Sequence, residues 1–160
     1  MAITQAVCNT FKQEVLMGVH DIRNGGTGDA LYLALYTSSA TLSKASTAYS
    51  ASNEAVDSNS NYVAGGEALT VPSGGTYPAL SGDTAFVTFS DVTISNASMT
   101  ANGALVYNST PSALQRDNIT AYVNPAVCVL AFGGDKTSTD GDFTIQFPTA
   151  DASNAIIRIG

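Results

Sequence analysis

Val127-Cys128-Val129-Leu130-Ala131-Phe132 is apolar at every position. The run lies between Pro125 and Gly133-Gly134 and is too short for a buried helix, so it reads as a strand covered on both faces. Just beyond it, Asp142-Phe143-Thr144-Ile145-Gln146-Phe147 alternates sharply, which at strand period puts Phe143, Ile145 and Phe147 on one face. Gly133-Gly134-Asp135 between them predicts a turn. Working back toward the N-terminus, strands are predicted at Gly103 to Asn108, at Thr84 to Ser90 leading into Val92 to Ser95, and at Glu67 to Val71. Ala30 to Thr37 is apolar on both alternating faces, and Ala155 to Ile159 closes the chain. About eight short strands separated by turn-rich spacers define a mainly β protein. The expected architecture is a β-sandwich, with a jelly roll as the preferred topology, in a single domain over residues 1–160.

Two segments depart from the strand pattern. Ile3, Val7, Phe11, Val15 and Val19 recur every four residues, with Cys8 and Leu16 beside them, and predict an amphipathic helix over residues 1–19. Thr4 is its expected N-cap, and Gly18 its left-handed terminator. Residues 38–61 form a long stretch of small residues without periodicity, expected to be a long loop or an arm whose order depends on a partner. A second long connection runs from Thr110 to Pro125.

Composition narrows the function. The chain has 160 residues, 44% of them hydrophobic but only 12% charged, about half the usual ~25%. A surface of Ser, Thr, Asn and Gly loses little on desolvation, because its hydroxyls and amides are re-paired across a contact. That suits life against a partner, although a solvated β-domain with a hydroxyl coat has the same composition. The net charge is −7, and Lys12, Arg23, Lys44, Arg116, Lys136 and Arg158 are scattered. Nucleic acids and anionic membranes need clustered cations and are not expected partners. No stretch approaches the ~20 apolar residues of a membrane span, and the N-terminus lacks the basic region of a signal peptide. The expected compartment is a cytoplasm, with Cys8 and Cys128 as free, buried thiols.

The inventory for chemistry is thin. His20 is the one histidine and follows a predicted helix end, where the helix dipole favours a cation. There is no Gly-x-Ser-x-Gly elbow. Asp140 and Asp142 flank Gly141 in a predicted turn, where Asp bonds nearby amides. The stretch Asp135 to Asp142 lacks the alternating ligands and final Glu of a calcium loop. Gly25-Gly26-Thr27-Gly28 lacks the following Lys of a phosphate loop. No catalytic residue, cofactor or metal is expected. The candidate interface is the helical stripe Ile3, Val7, Phe11 and Val15, too apolar to face water and expected to cover either its own sheet or a neighbouring subunit, together with Tyr49 and Tyr62 in the Ser/Gly-rich loops. Tyr49, Tyr62 and Tyr77 could also serve a carbohydrate-binding module, but tyrosines in such loops are more often interface anchors or half-buried packing residues.

Several segments together resemble a family of small bacteriophage virion proteins. They are Ile3-Thr4-Gln5-Ala6-Val7-Cys8 with Phe11-Lys12-Gln13-Glu14, Gly18-Val19-His20, and Ala34 to Leu42. Further matches are Thr47-Ala48-Tyr49, Asn53-Glu54, Tyr62 to Gly66, Phe143 to Pro148 and Asn154 to Ile159; residues 73–82 fall outside the pattern. The resemblance implies a non-catalytic virion component assembled in the host cytoplasm. It is similar to capsid cement (decoration) proteins, which bind the major capsid protein and often form a homotrimer over capsomer junctions. A tail, head-fibre or head–tail component is the alternative it implies.

Overall fold

The computed structural model describes residues 2–23, 28–72, 77–110 and 122–160. Most of the glycine cluster at 25–28, most of the 110–125 connection and Arg116 lie outside them. The protein is mainly β, with two antiparallel sheets. The larger has the order β1-β7-β6-β2-β3, where β1 is Ala6–Val7, β2 Leu31–Tyr36, β3 Glu67–Ala68, β6 Val92–Asn108 and β7 Ala126–Ile145. The smaller has the order β4-β5-β8, from Ala79–Ser81, Thr84–Val87 and Ile157–Ile159. These sheets hold five and three strands, whereas a jelly roll predicts four and four.

The long hairpin of β6 and β7 forms the spine. Val127 to Leu130 is buried at the sheet centre, as its unbroken apolar run predicts. Leu105 of β6 lies opposite Ala34 of β2 and Val129 of β7, and all three are fully buried. Val87 and Ile157 of the smaller sheet join the same apolar cluster as Leu33, Val106 and Cys128, so both sheets contribute to one core.

Two predicted turns, at Gly133-Gly134-Asp135 and at Asp140 to Asp142, lie instead within the continuous strand β7. Gly133-Gly134 is not a turn: the pairing jumps from Gly103↔Ala131 to Ala101↔Lys136, leaving extra residues on β7. The glycines absorb this irregularity at φ 73° and 143°, values a residue with a Cβ rarely adopts. Closer to the far end, Asn96 at φ 52° and Asp140 at φ 48° accompany further register shifts. Both are residue types that tolerate the left-handed region.

The N-terminal helix over residues 1–19 is corrected. Helix α1 spans only Asn9–Leu16. Ala6 and Val7 are extended and pair with Val129 and Cys128, while Ile3 bridges Leu42. Thr4 donates its backbone N–H to the Leu42 carbonyl at 2.9 Å instead of capping a helix. The reason is tertiary: the edge of β7 beside Cys128 needs hydrogen-bond partners, and β-branched Ile3 and Val7 suit extended backbone. The helix ends as predicted, with Gly18 at φ 71°. Phe11 is buried, but Leu16, beside the predicted stripe, is 90% exposed.

This packing sets a clear contrast. Leu105→Ala should cost about 2–5 kcal/mol through lost burial and a residual cavity, whereas Leu16→Ala should stay within about 0.5 kcal/mol. Urea unfolding of both variants checks this; a loss below ~1 kcal/mol at Leu105 would contradict its place in the core.

Candidate functional site

Residues 38–66 cross the larger sheet and are bonded to it within the chain. Isolated bridges join Leu42 to Ile3, Ala48 to Pro125 and Glu54 to Tyr36. At the centre is Glu54, 8% exposed. Its carboxylate accepts the hydroxyl protons of Tyr49 and Tyr62, each at 2.6 Å, and the Gly65 N–H at 2.9 Å. The Tyr62 hydroxyl also accepts the Leu35 N–H at 2.8 Å, joining the loop to β2. Nearby, Tyr36 donates to the Ser50 carbonyl and Tyr107 to the Gly65 carbonyl. The Tyr49 ring stacks on Tyr107 with centroids 4.7 Å apart, and Tyr107 stacks on Tyr32. Burial pushes the Tyr36 phenol up to about 12. Burial first, and Glu54 second, raise Tyr49, Tyr62 and Tyr107.

A second acid pins the same loop to β6. The Asp57 carboxylate accepts backbone N–H groups from Ser98 at 2.7 Å, Asn61 at 2.8 Å, Asn59 at 3.1 Å and Tyr62 at 3.1 Å. Burial alone would raise its pKa, but these four donors outweigh it and hold the carboxyl below its usual value. Asn59 continues outward to the Asn96 carbonyl and to Asp140. In Asp140 the hydrogen bonds from Asn59 and Ser98 lower the pKa.

A third polar cluster ties α1 to the end of β6. His20 Nε2 lies 2.8 Å from Glu14 Oε2, with both side chains buried. Its Nδ1 is 3.0 Å from Asn108 Nδ2, which also donates to Asp29 at 2.7 Å. Asn108 Oδ1 accepts the Thr110 N–H, which fixes the amide's orientation. Nδ1 is therefore an acceptor, and Nε2 carries the proton donated to Glu14. Instead of facing a helix end as a lone cation, His20 is locked between side chains.

The predicted interface residues do not form one surface. Phe11 and Tyr62 are core residues, which corrects their assignment as surface anchors. Tyr49 is held against Tyr107 and Glu54. Ile3, Val7 and Val15 are half-buried, and each packs against the core cluster. The large apolar side chains that face solvent are instead Leu16, Met17, Val56, Val63, Leu80, Val123 and Ile159. Sequence reasoning missed Glu54 and Asp57. Their signal was two acids in a charge-poor loop between Tyr49 and Tyr62, a pattern that supplies both acceptors and donors. Among the described residues no three His, Cys, Asp or Glu side chains group as metal ligands. Cys8 and Cys128 are free and buried; burial pushes the Cys8 thiol up to about 11 and raises Cys128 as well. No family model, curated protein or solved structure matches the chain.

Glu54→Gln leaves one oxygen for three donors, so at least one faces the new NH₂ group. The expected loss is about 1–3 kcal/mol, read by urea unfolding, and an unchanged midpoint would refute the role of the carboxylate. The tyrosines set the alkaline limit. A folded pKa raised above 10.0 favours the neutral phenol, so this stability is complete below that pH and is lost as pH climbs toward the folded values. Ultraviolet tyrosinate absorbance from the buried phenols should appear only as the protein unfolds. Asp57 acts at the acid end with the opposite sign. Its depressed pKa contributes stability above 3.8 that is lost as pH falls through the folded value. Asp57→Asn should lower stability at neutral pH and flatten the acid limb of a melting-temperature profile.

Proposed function

We propose that this chain is a virion structural protein of a bacteriophage, a capsid cement protein that binds the major capsid protein on the outside of the head. The observation carrying this reading is the surface. Large apolar side chains such as Leu16 at 90%, Val56 at 81% and Leu80 at 72% exposure stand on a chain that is only 12% charged. Exposed apolar groups on a charge-poor surface fit protein–protein contact. The resemblance to small phage virion proteins gives that contact its partner. In this reading the two sheets act as a stiff β-sandwich, and a symmetric trimer repeats each weak contact around an axis. The loop over residues 38–66, held by the protein's own carboxylates, presents a fixed surface to the shell.

Purified particles provide the test. A copy number that scales with the capsomers supports cement, a few copies per particle indicates a tail or fibre component, and absence from the particle overturns the reading. Attachment should survive a rise from roughly 0.1 to 1 M salt, which shortens the Debye length from about 10 Å to about 3 Å, because apolar contacts are not screened. It should survive EDTA as well. Wholesale stripping at high salt would show that charges carry the contact.

A further inference from the structure

Between α1 and the smaller sheet lies a hollow of about 140 Å³. Phe11 and Val15 of α1 form one wall, and Phe86 and Val87 of β5 with Ile157 and Ile159 of β8 form the other. The pairing of β5 with β8 sets its depth. Val87 lies opposite Ile157, and both are buried; Ala85 lies opposite Ile159, which is 57% exposed. Directly paired residues share one face of a sheet. The first pair is therefore the floor of the hollow, and the second is its mouth.

The side chains around this hollow offer a ligand no hydrogen bond. Every described residue that lines it is apolar except His20. Both nitrogens of that ring are engaged elsewhere, Nε2 with Glu14 at 2.8 Å and Nδ1 with Asn108 at 3.0 Å. His20 therefore presents ring carbons, and it packs against the Phe11 ring with centroids 4.9 Å apart. A buried water needs about two to four polar partners, whereas an apolar cavity of about 150 Å³ stays dry and holds benzene. Drug-sized ligands need about 300 Å³ or more. Size and chemistry together select a single apolar ring, which the Phe11 and His20 rings can meet in offset or edge contact.

We propose that the hollow between α1 and the smaller sheet is a binding site for a small apolar molecule, one aromatic ring in size. The ring sits over Val87 and Ile157, with Phe11 and His20 at its side. Binding removes apolar surface of both ligand and protein from water, and it braces α1 against β5 and β8. The site does not depend on the particle contact proposed above, so either can fail without the other.

Benzene is the probe, titrated into the full chain while side-chain methyl NMR shifts are followed. Saturable shifts should appear at Val15, Val87 and Ile157, but not at Val63 in the 38–66 loop. Pyrazine has the same shape with a nitrogen at each end, and one of them must be left unpaired inside. It should bind about tenfold more weakly or worse. Ala85→Leu, which lengthens a half-buried side chain at the mouth, should abolish the saturation. The pyrazine comparison uses the unaltered chain and stands whatever that variant does to folding. The proposal is overturned if benzene does not saturate, if its shifts fall elsewhere, if pyrazine binds as tightly, or if a folded Ala85→Leu protein binds benzene unchanged.

Discussion

The Glu54 carboxylate is the hub on which the side chains of the longest irregular segment of the protein converge. Without it, residues 38–66 would lay two phenols and an amide over the larger sheet with no shared acceptor. Three hydrogen bonds converge on the carboxylate from Tyr49, Tyr62 and Gly65. The Tyr62 hydroxyl relays that link to the Leu35 N–H of β2. Burying an acid in a chain this poor in charge is costly unless every lone pair is engaged. The cost is offset because the donors come from tyrosines whose rings also fill the space, Tyr49 stacking on Tyr107 and Tyr62 reaching the core. Asp57 repeats the solution with backbone donors only. Glu54 gathers its donors beside β2, and Asp57 ties the loop to the backbone of Ser98 in β6.

Which parts of this were legible in the sequence follows from the range of the forces involved. Val127 to Phe132 and Ala30 to Thr37 announced buried strands because burial on both faces leaves an unbroken apolar signature in adjacent residues. The N-terminus misled for a physical reason: a four-residue repeat of apolar positions fits a helix, but Ile3 and Val7 also serve extended backbone. The demand of the β7 edge for partners decided between them. Gly133-Gly134 misled in the opposite direction, since a glycine pair marks a turn and a bulge with the same letters. Glu54 and Asp57 were hidden because their donors are separated in sequence from the acids they satisfy, Ser98 lying far along the chain from Asp57.

The candidate interface shows the same limit. Apolar periodicity identifies residues that must be covered, but not whether the cover is the chain itself or another molecule. Phe11 and Tyr62 are covered internally, whereas Leu16 and Val56 are not. The two classes look alike in sequence; only the fold separates residues that build the core from those left exposed.

The β6–β7 hairpin also makes the protein mechanically directional. Seventeen residues of strand in β6 have a contour length on the order of 50 Å at about 3.3 Å per residue. A compact domain of this length has a radius of gyration of only about 15 Å. Tension applied along the ribbon loads its ladder of hydrogen bonds in shear, where many must fail together. Tension applied across its open end would peel them one at a time, beginning beside Val92 and Ile145 and continuing to the irregularities at Asn96 and Asp140. Gripped along the ribbon, this fold resists stretching; gripped across the open end, it unzips.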